Sequence, residues 1–175
     1  DASGCSKTMN FPLSNVNGPT FNLTSSSPLC NGSCNGVASL TVTSSVGSPN
    51  INWSSGTISF GINTSTASGL CNGVITVTVA NPLTSGCISV QSTTLTQPPP
   101  LVMSLPNINT PDCNNQCNGS ITLIPSGGVL PYTYTWTPSA STNPIINLCA
   151  GAYSGTVTDA NGCPISNTYT LINPP

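Results

Sequence analysis

Charge is almost missing from this chain. In 175 residues there is no histidine, no glutamate and no arginine. Asp1, Lys7, Asp112 and Asp159 make up the whole ionic inventory, 2% of the sequence, with a formal net charge of -2. An ordinary globular domain carries about a quarter charged residues. The shortage excludes whole classes of function. Without histidine or glutamate there is no acid–base pair and no Ser-His-Asp relay, so the chain reads as a non-enzyme. A Ser-Lys dyad or an intramolecular isopeptide bond would depend on Lys7 alone. One lysine cannot neutralise a run of phosphates, which removes nucleic acid as a partner. Apolar runs are too short to cross a bilayer, so no membrane insertion is expected in this segment. No signal peptide is visible, and any targeting signal is expected upstream. Low charge also removes the repulsion that keeps proteins apart, which favours packing against copies of itself or neighbouring repeats.

Cysteine, by contrast, is abundant and ordered. Of nine cysteines, eight fall into two matching quartets: Cys30, Cys34, Cys71 and Cys87, then Cys113, Cys117, Cys149 and Cys163. Each quartet opens with a Cys-x3-Cys pair, and Trp53 stands as far beyond Cys34 as Trp136 stands beyond Cys117. Repeated spacing of this kind marks two copies of one disulfide-stapled domain in an oxidising, extracytoplasmic compartment. Zinc is disfavoured, because histidine is absent and the later cysteines stand singly. Cys5 reads as the last cysteine of a preceding copy, since Asp1-Ala2-Ser3-Gly4-Cys5 mirrors Asp159-Ala160-Asn161-Gly162-Cys163. Its partner is then expected upstream or in another chain. The chain reads as a slice of a longer array: residues 1–22 the end of one repeat plus a joint, 23–98 a diverged repeat, and 99–175 a second repeat.

Short alternating segments dominate. Ala38–Thr43, Val74–Val79, Ile121–Ile124, Tyr132–Trp136, Tyr153–Thr158 and Asn167–Ile172 have the period of two that half-buried strands need. Glycine, asparagine and proline break them at intervals, so the fold class is all-β: tandem antiparallel β-sandwiches. The prolines at Pro98–Pro100 and Pro174–Pro175 form short, stiff joints that cannot continue a sheet.

In the second copy Cys117-Asn118-Gly119-Ser120-Ile121-Thr122, Gly127-Gly128, Pro131-Tyr132-Thr133-Tyr134-Thr135-Trp136, Leu148-Cys149-Ala150-Gly151-Ala152-Tyr153 and Val157-Thr158-Asp159-Ala160-Asn161-Gly162-Cys163 follow in order. This string resembles the SprB-type repeat of Bacteroidota surface proteins, known from arrays in a gliding-motility adhesin. The first copy keeps the cysteines and Trp53 but lacks Gly-Gly and Pro-Tyr-x-Tyr. The resemblance implies an Ig-like sandwich at the bacterial cell surface, within a large secreted or anchored protein, and does not by itself imply gliding.

Topology narrows the disulfides. The second cysteine begins strand B and the third ends strand E, antiparallel neighbours whose ends meet, so Cys34–Cys71 and Cys117–Cys149 are expected. The remaining cysteines are paired within each copy as Cys30–Cys87 and Cys113–Cys163. The fourth cysteine, however, follows the F–G turn at the end of the sandwich opposite the A–B turn, and a cross-domain Cys30–Cys163 bond would suit that geometry better. Trp53 and Trp136 read as core side chains beside a disulfide in preference to sugar-stacking platforms. Tyr132 and Tyr134 share the Trp136 face, with Tyr153 placed opposite on the neighbouring sheet. Asp159 and Asn161 offer one carboxylate to calcium, which wants several. A hairpin turn explains them better, and no cofactor is expected. Asn22, Asn31, Asn52, Asn63 and Asn118 head glycosylation sequons that chance explains in so Asn/Ser/Thr-rich a chain. Together these readings make the chain a structural, self-packing, disulfide-rigidified module of an extracellular filament or giant surface adhesin. The alternative is an adhesin module that contacts surface polysaccharide.

Overall fold

The computed structural model describes residues 18–45, 47–82, 87–138 and 140–174. Cys5, Asp1, Lys7 and most of the 1–22 segment therefore lie outside the described residues, as does Leu83–Gly86 of the first copy's closing turn. All fifteen named elements are strands, and every pairing is antiparallel. Two hydrophobic cores divide them into two units.

The first unit holds β1 (Thr20–Ser26), β2 (Gly36–Ser44), β3 (Asn50–Trp53), β4 (Thr57–Gly61), β5 (Thr64–Leu70), β6 (Gly73–Ala80) and β7 (Ile88–Leu95). One sheet has the order β1-β2-β5-β4 and the other β3-β6-β7. This is the ABED and CFG arrangement of a constant-type Ig sandwich. Alternation decides which side chains go inward: Ala38, Leu40 and Val42 from β2 meet Ile75, Val77 and Val79 from β6. Phe21 joins this core at 5% exposure. The first unit therefore includes β1 from Thr20 instead of beginning at residue 23, because Phe21 and Leu23 alternate onto the face that β1 shares with β2.

The second unit holds β8 (Val102–Met103), β9 (Asn107–Asn109), β10 (Gly119–Thr122), β11 (Pro125–Ser126), β12 (Thr133–Thr137), β13 (Ile145–Leu148), β14 (Gly151–Thr158) and β15 (Pro164–Leu171). Its main sheets are β13-β10-β9 and β12-β14-β15, with a small β8–β11 pair. Leu123, Trp136, Val157 and Leu171 occupy the places of Leu40, Trp53, Val79 and Leu95. Among the described residues no counterpart of β4 lies between β12 and β13; two prolines, Pro138 and Pro144, cannot donate to a ladder there.

Both tryptophans are buried, and each indole N–H finds an acceptor. Trp53 Nε1 donates to Ser65 Oγ at 2.9 Å, and Trp136 Nε1 donates to the Thr142 carbonyl at 3.0 Å. Gly155 lies opposite Trp136, and a Cβ there would stand 2.7 Å from the indole. Tyr132 and Tyr134 are half-buried against the same core. Tyr153 corrects the expectation: it sits on β14, adjacent to β12 in one sheet, because the Tyr153 strand is itself F and not a strand of the facing sheet. Its hydroxyl donates to the Cys149 carbonyl.

Outer faces replace ion pairs with cross-strand hydroxyl pairs. Thr76 and Ser92 pair at 3.0 Å on β6–β7, and Ser154 with Thr168 repeats that contact on β14–β15 at 2.7 Å. Thr156 pairs with Ser166 in the same way, whereas Ser25 of β1 and Thr93 of β7 join the edges of the two sheets. Each contributes a few tenths of a kcal/mol at most times, up to about 1 kcal/mol. Their worth does not depend on ionic strength. Between low salt and about 1 M sodium chloride, where screening acts within about 3 Å, the thermal midpoint should therefore stay nearly constant. Replacing Trp136 with alanine should cost the second unit about 3–5 kcal/mol in chemical denaturation followed by tyrosine absorbance, since all four tyrosines lie in that unit.

Candidate functional site at the joint between the units

The chain leaves the first unit at Leu95 and enters the second at Val102 through Pro98, Pro99 and Pro100. In the first unit, β1 and β7 run toward one end, where the Cys30–Cys34 turn lies. In the second, β14 runs away from its own Cys113–Cys117 turn and delivers the Asp159–Cys163 turn to the opposite end. The two ends meet. Cys30 is bonded to Cys163, with the Cα atoms 5.7 Å apart.

This bond replaces the within-copy pairs Cys30–Cys87 and Cys113–Cys163. The physical reason is the strand direction: the first and last cysteines of one unit lie at opposite ends of its sandwich. The other bonds are Cys34–Cys71 and Cys117–Cys149. They close the ends of β2–β5 and β10–β13, next to the Gly36–Leu70 and Gly119–Leu148 pairs. Cys87 is half-buried at the far end of the first unit, and Cys113 is exposed.

Polar contacts reinforce the joint. Asn161 Nδ2 donates to the Leu29 carbonyl at 2.8 Å. Gly128 N donates to the Pro99 carbonyl at 3.0 Å. On the first unit's side, Asn31 Nδ2 donates to the Pro98 carbonyl and Gly32 N to Gln97 Oε1, tying the linker to the cysteine turn. Gly127 and Gly128 both have positive φ. A Cβ on Gly127 would lie 1.9 Å from the Pro100 carbonyl oxygen, so the linker can pass only over a glycine. Tyr132 OH donates to the Gly127 carbonyl and steadies that loop from below.

Asp159 holds these pieces together. Its side chain is 4% exposed. Oδ1 accepts from Cys163 N and Asn161 N, each at 2.9 Å, and Oδ2 accepts from Val129 N at 2.9 Å. Ala160 N returns a bond to the Val129 carbonyl. The Cys163 amide is the largest cause holding its carboxyl below the ordinary aspartate value of 3.8; Val129 N and Asn161 N act the same way, and burial opposes them. Both carboxylate oxygens thus face backbone amides. Among the described residues, no group of three His, Cys, Asp or Glu side chains gathers as metal ligands would. In the first unit Asn81 stands at the corresponding place, 6% exposed, with its N–H on the Cys87 carbonyl as Asp159 N–H is on Cys163.

Sequence reasoning identified the Asp159 segment as a turn and offered Cys163 to Cys30 as a cross-domain alternative, yet missed that the Asp159 carboxylate and the glycine loop organise the joint. The signal was present in Gly127-Gly128, a pair with no strand role, lying opposite a proline run.

Ionised Asp159 is the form that the three amides favour. Its contribution to stability is therefore complete above the ordinary carboxylate range and is lost as pH falls through the lowered folded-state value. Thermal midpoints measured at about pH 6 and about pH 2.5 should drop for the native chain on acidification. Asp159→Asn should show a lower midpoint at the higher pH and a smaller acid-induced drop. Equal acid sensitivity of the two proteins would count against this role.

Residues 107–141, from β9 to just past β12, match the SprB repeat model. No curated protein sequence matches the chain. Among solved structures the chain is similar to the I-band fragment I67–I69 from titin, with 16% identity and a TM-score of 0.50 over 89% of this chain and 65% of that one. It is also similar to the C-terminal 282-residue fragment of intimin in complex with the translocated intimin receptor intimin-binding domain. That likeness has 15% identity and a TM-score of 0.43 over 89% of this chain and 64% of that one. The adhesin InvE of Yersinia pseudotuberculosis follows at 14% and 0.28, over 88% and 60%. This chain spans less than two thirds of each of those three chains. The titin likeness speaks to the sandwich fold alone. The match to the SprB repeat is thus confined to residues 107–141, and it falls within an Ig-like, disulfide-stapled β-sandwich architecture.

Proposed function

We propose that the chain is a length-building structural module of a bacterial cell-surface adhesin or extracellular filament, with its units locked end to end. The observation that supports this reading best is the bond from Cys30 to Cys163, which joins two folded units and not two strands of one. An ordinary two-domain linker leaves relative motion as the default. Here a covalent bond, a proline run and the amide contacts at Gly128 and Asn161 oppose that motion. Three disulfides fit an oxidising, extracytoplasmic location. The near-uncharged sequence, with one lysine and three aspartates, suits close packing with neighbouring repeats or copies of the chain.

The reading as a polysaccharide-binding module would call for an exposed tryptophan or tyrosine in a groove. Trp53 and Trp136 are buried at 8% and 5% exposure, and Tyr132, Tyr134 and Tyr153 are half-buried. Structural assembly therefore takes precedence, and a non-catalytic role fits both the fold and the residue inventory.

Small-angle X-ray scattering of the native chain and of Cys163→Ser tests the rod. The native chain should scatter as one elongated particle of fixed shape. The variant should keep both folded cores, judged by tryptophan fluorescence, while its scattering broadens to that of two units in relative motion. Identical scattering from the two proteins would remove the case for a locked rod.

A further inference from the structure

The two units present the same cysteine turn, and among the described residues only the first unit's turn is bonded to another unit. Offsets of 83 residues relate Cys30 to Cys113, Cys34 to Cys117 and Trp53 to Trp136. The local geometry repeats as well. Ser33 N donates to the Cys30 carbonyl at 3.1 Å, and Gln116 N donates to the Cys113 carbonyl at 3.2 Å. Leu29 N donates to Asn35 Oδ1 at 3.1 Å, and Asp112 N donates to Asn118 Oδ1 at 3.1 Å. Pro28 and Pro111 are both buried behind the turn. Gly36 and Gly119 both pack where a Cβ would stand 2.9 Å from a carbonyl oxygen, that of Leu70 or Leu148. Beside each turn lies the same staple, Cys34–Cys71 or Cys117–Cys149.

In the first unit this surface receives a second unit's closing turn. Cys30 takes the sulfur of Cys163, and the Leu29 carbonyl takes the amide of Asn161. In the second unit the counterpart thiol, Cys113, is exposed, and so is Asp112, whose carbonyl corresponds to that of Leu29. The occupant is thus defined by what already sits on the equivalent surface. It is a hairpin turn of the Asp-Ala-Asn-Gly-Cys kind, held rigid by its own carboxylate.

We propose that Cys113 is the acceptor for the closing-turn cysteine of a following repeat unit, so that the Cys30–Cys163 bond is one member of a regular series running along an array. This rests on the reading of the chain as a module of units locked end to end. Bond formation takes one proton and one electron from each of the two thiols. A disulfide oxidant accepts both electrons and is reduced to two thiols.

The test extends the full chain with a second copy of residues 99–175 placed after Pro175, with Cys5→Ser to remove a competing thiol. Both this protein and the 175-residue chain with the same Cys5→Ser change are oxidised in a glutathione redox buffer, alkylated with iodoacetamide and mapped by non-reducing peptic digestion. Cys113 should be alkylated in the shorter chain. In the extended chain it should be protected and bonded to the added copy's counterpart of Cys163. Changing that added cysteine to serine should restore alkylation of Cys113. Alkylation of Cys113 in both proteins, or its bonding to any other cysteine, would overturn the inference. Absence of the Cys30–Cys163 bond from the shorter chain would instead overturn the locked-rod reading on which it rests. The Cys34–Cys71 and Cys117–Cys149 bonds report in the same map that both original units have folded.

Discussion

Asp159 carries a buried negative charge in a chain that offers almost nothing to balance it. Arginine and histidine are absent from the sequence, and Lys7 lies outside the described residues. The charge is met instead by three backbone N–H groups from two separate segments, the Asp159–Cys163 turn and the loop at Val129. A carboxylate accepting several amide bonds strongly prefers its ionised form. The same bonds fix the position of Cys163 relative to Gly127 and Gly128. One end of the second unit is therefore a rigid surface, with a sulfur, an amide side chain and a glycine loop at set positions. The linker and the Cys30 turn dock onto that surface. Without the carboxylate the turn would be an ordinary hairpin end, and the disulfide would join two mobile loops.

Small units of this kind need such devices. Cores of a handful of large side chains leave little margin over chain entropy. The staples at Cys34–Cys71 and Cys117–Cys149 span 37 and 32 residues. Loop closure of that size restricts the unfolded chain by about 3–4 kcal/mol each on the entropic model. The outer faces do without charge through serine and threonine pairs, which repeat at matching positions in both units. Stability is thus drawn from covalent bonds and neutral hydrogen bonds.

Much of this was legible in the sequence, and the limits have physical causes. Period-two alternation located β2, β6, β12 and β14, because one face of each strand must be apolar. The repeated distance from cysteine to tryptophan placed Trp53 and Trp136 in corresponding places. The pairings Cys34–Cys71 and Cys117–Cys149 followed from adjacent strand ends. For Cys30 two partners stayed open, Cys87 within the copy and Cys163 across the joint: strand direction favoured the second, but a contact between units leaves no periodic trace in either unit to decide it. Phe21 was assigned to the preceding joint because a strand at a unit's edge has few alternating residues to declare it. The missing strand between β12 and β13 was hidden for a related reason: prolines there exclude a ladder without specifying what replaces it. Tyr153 was put on the wrong sheet because alternation fixes a side chain's face and says nothing about which sheet holds its strand.

The Cys30–Cys163 bond also alters how the molecule would bear a pull. Its two ends are separated by 133 positions in sequence, yet they are neighbours along the covalent path. A force applied to the two ends of the chain would pass down the backbone to Cys30, cross the sulfur bridge and leave from Cys163. Residues 31–162, which include most of both cores, would lie outside the load-bearing path. Stretching could draw out only the short flanking segments, and the extension available from unfolding would be capped by covalent topology whatever the strength of the sheets.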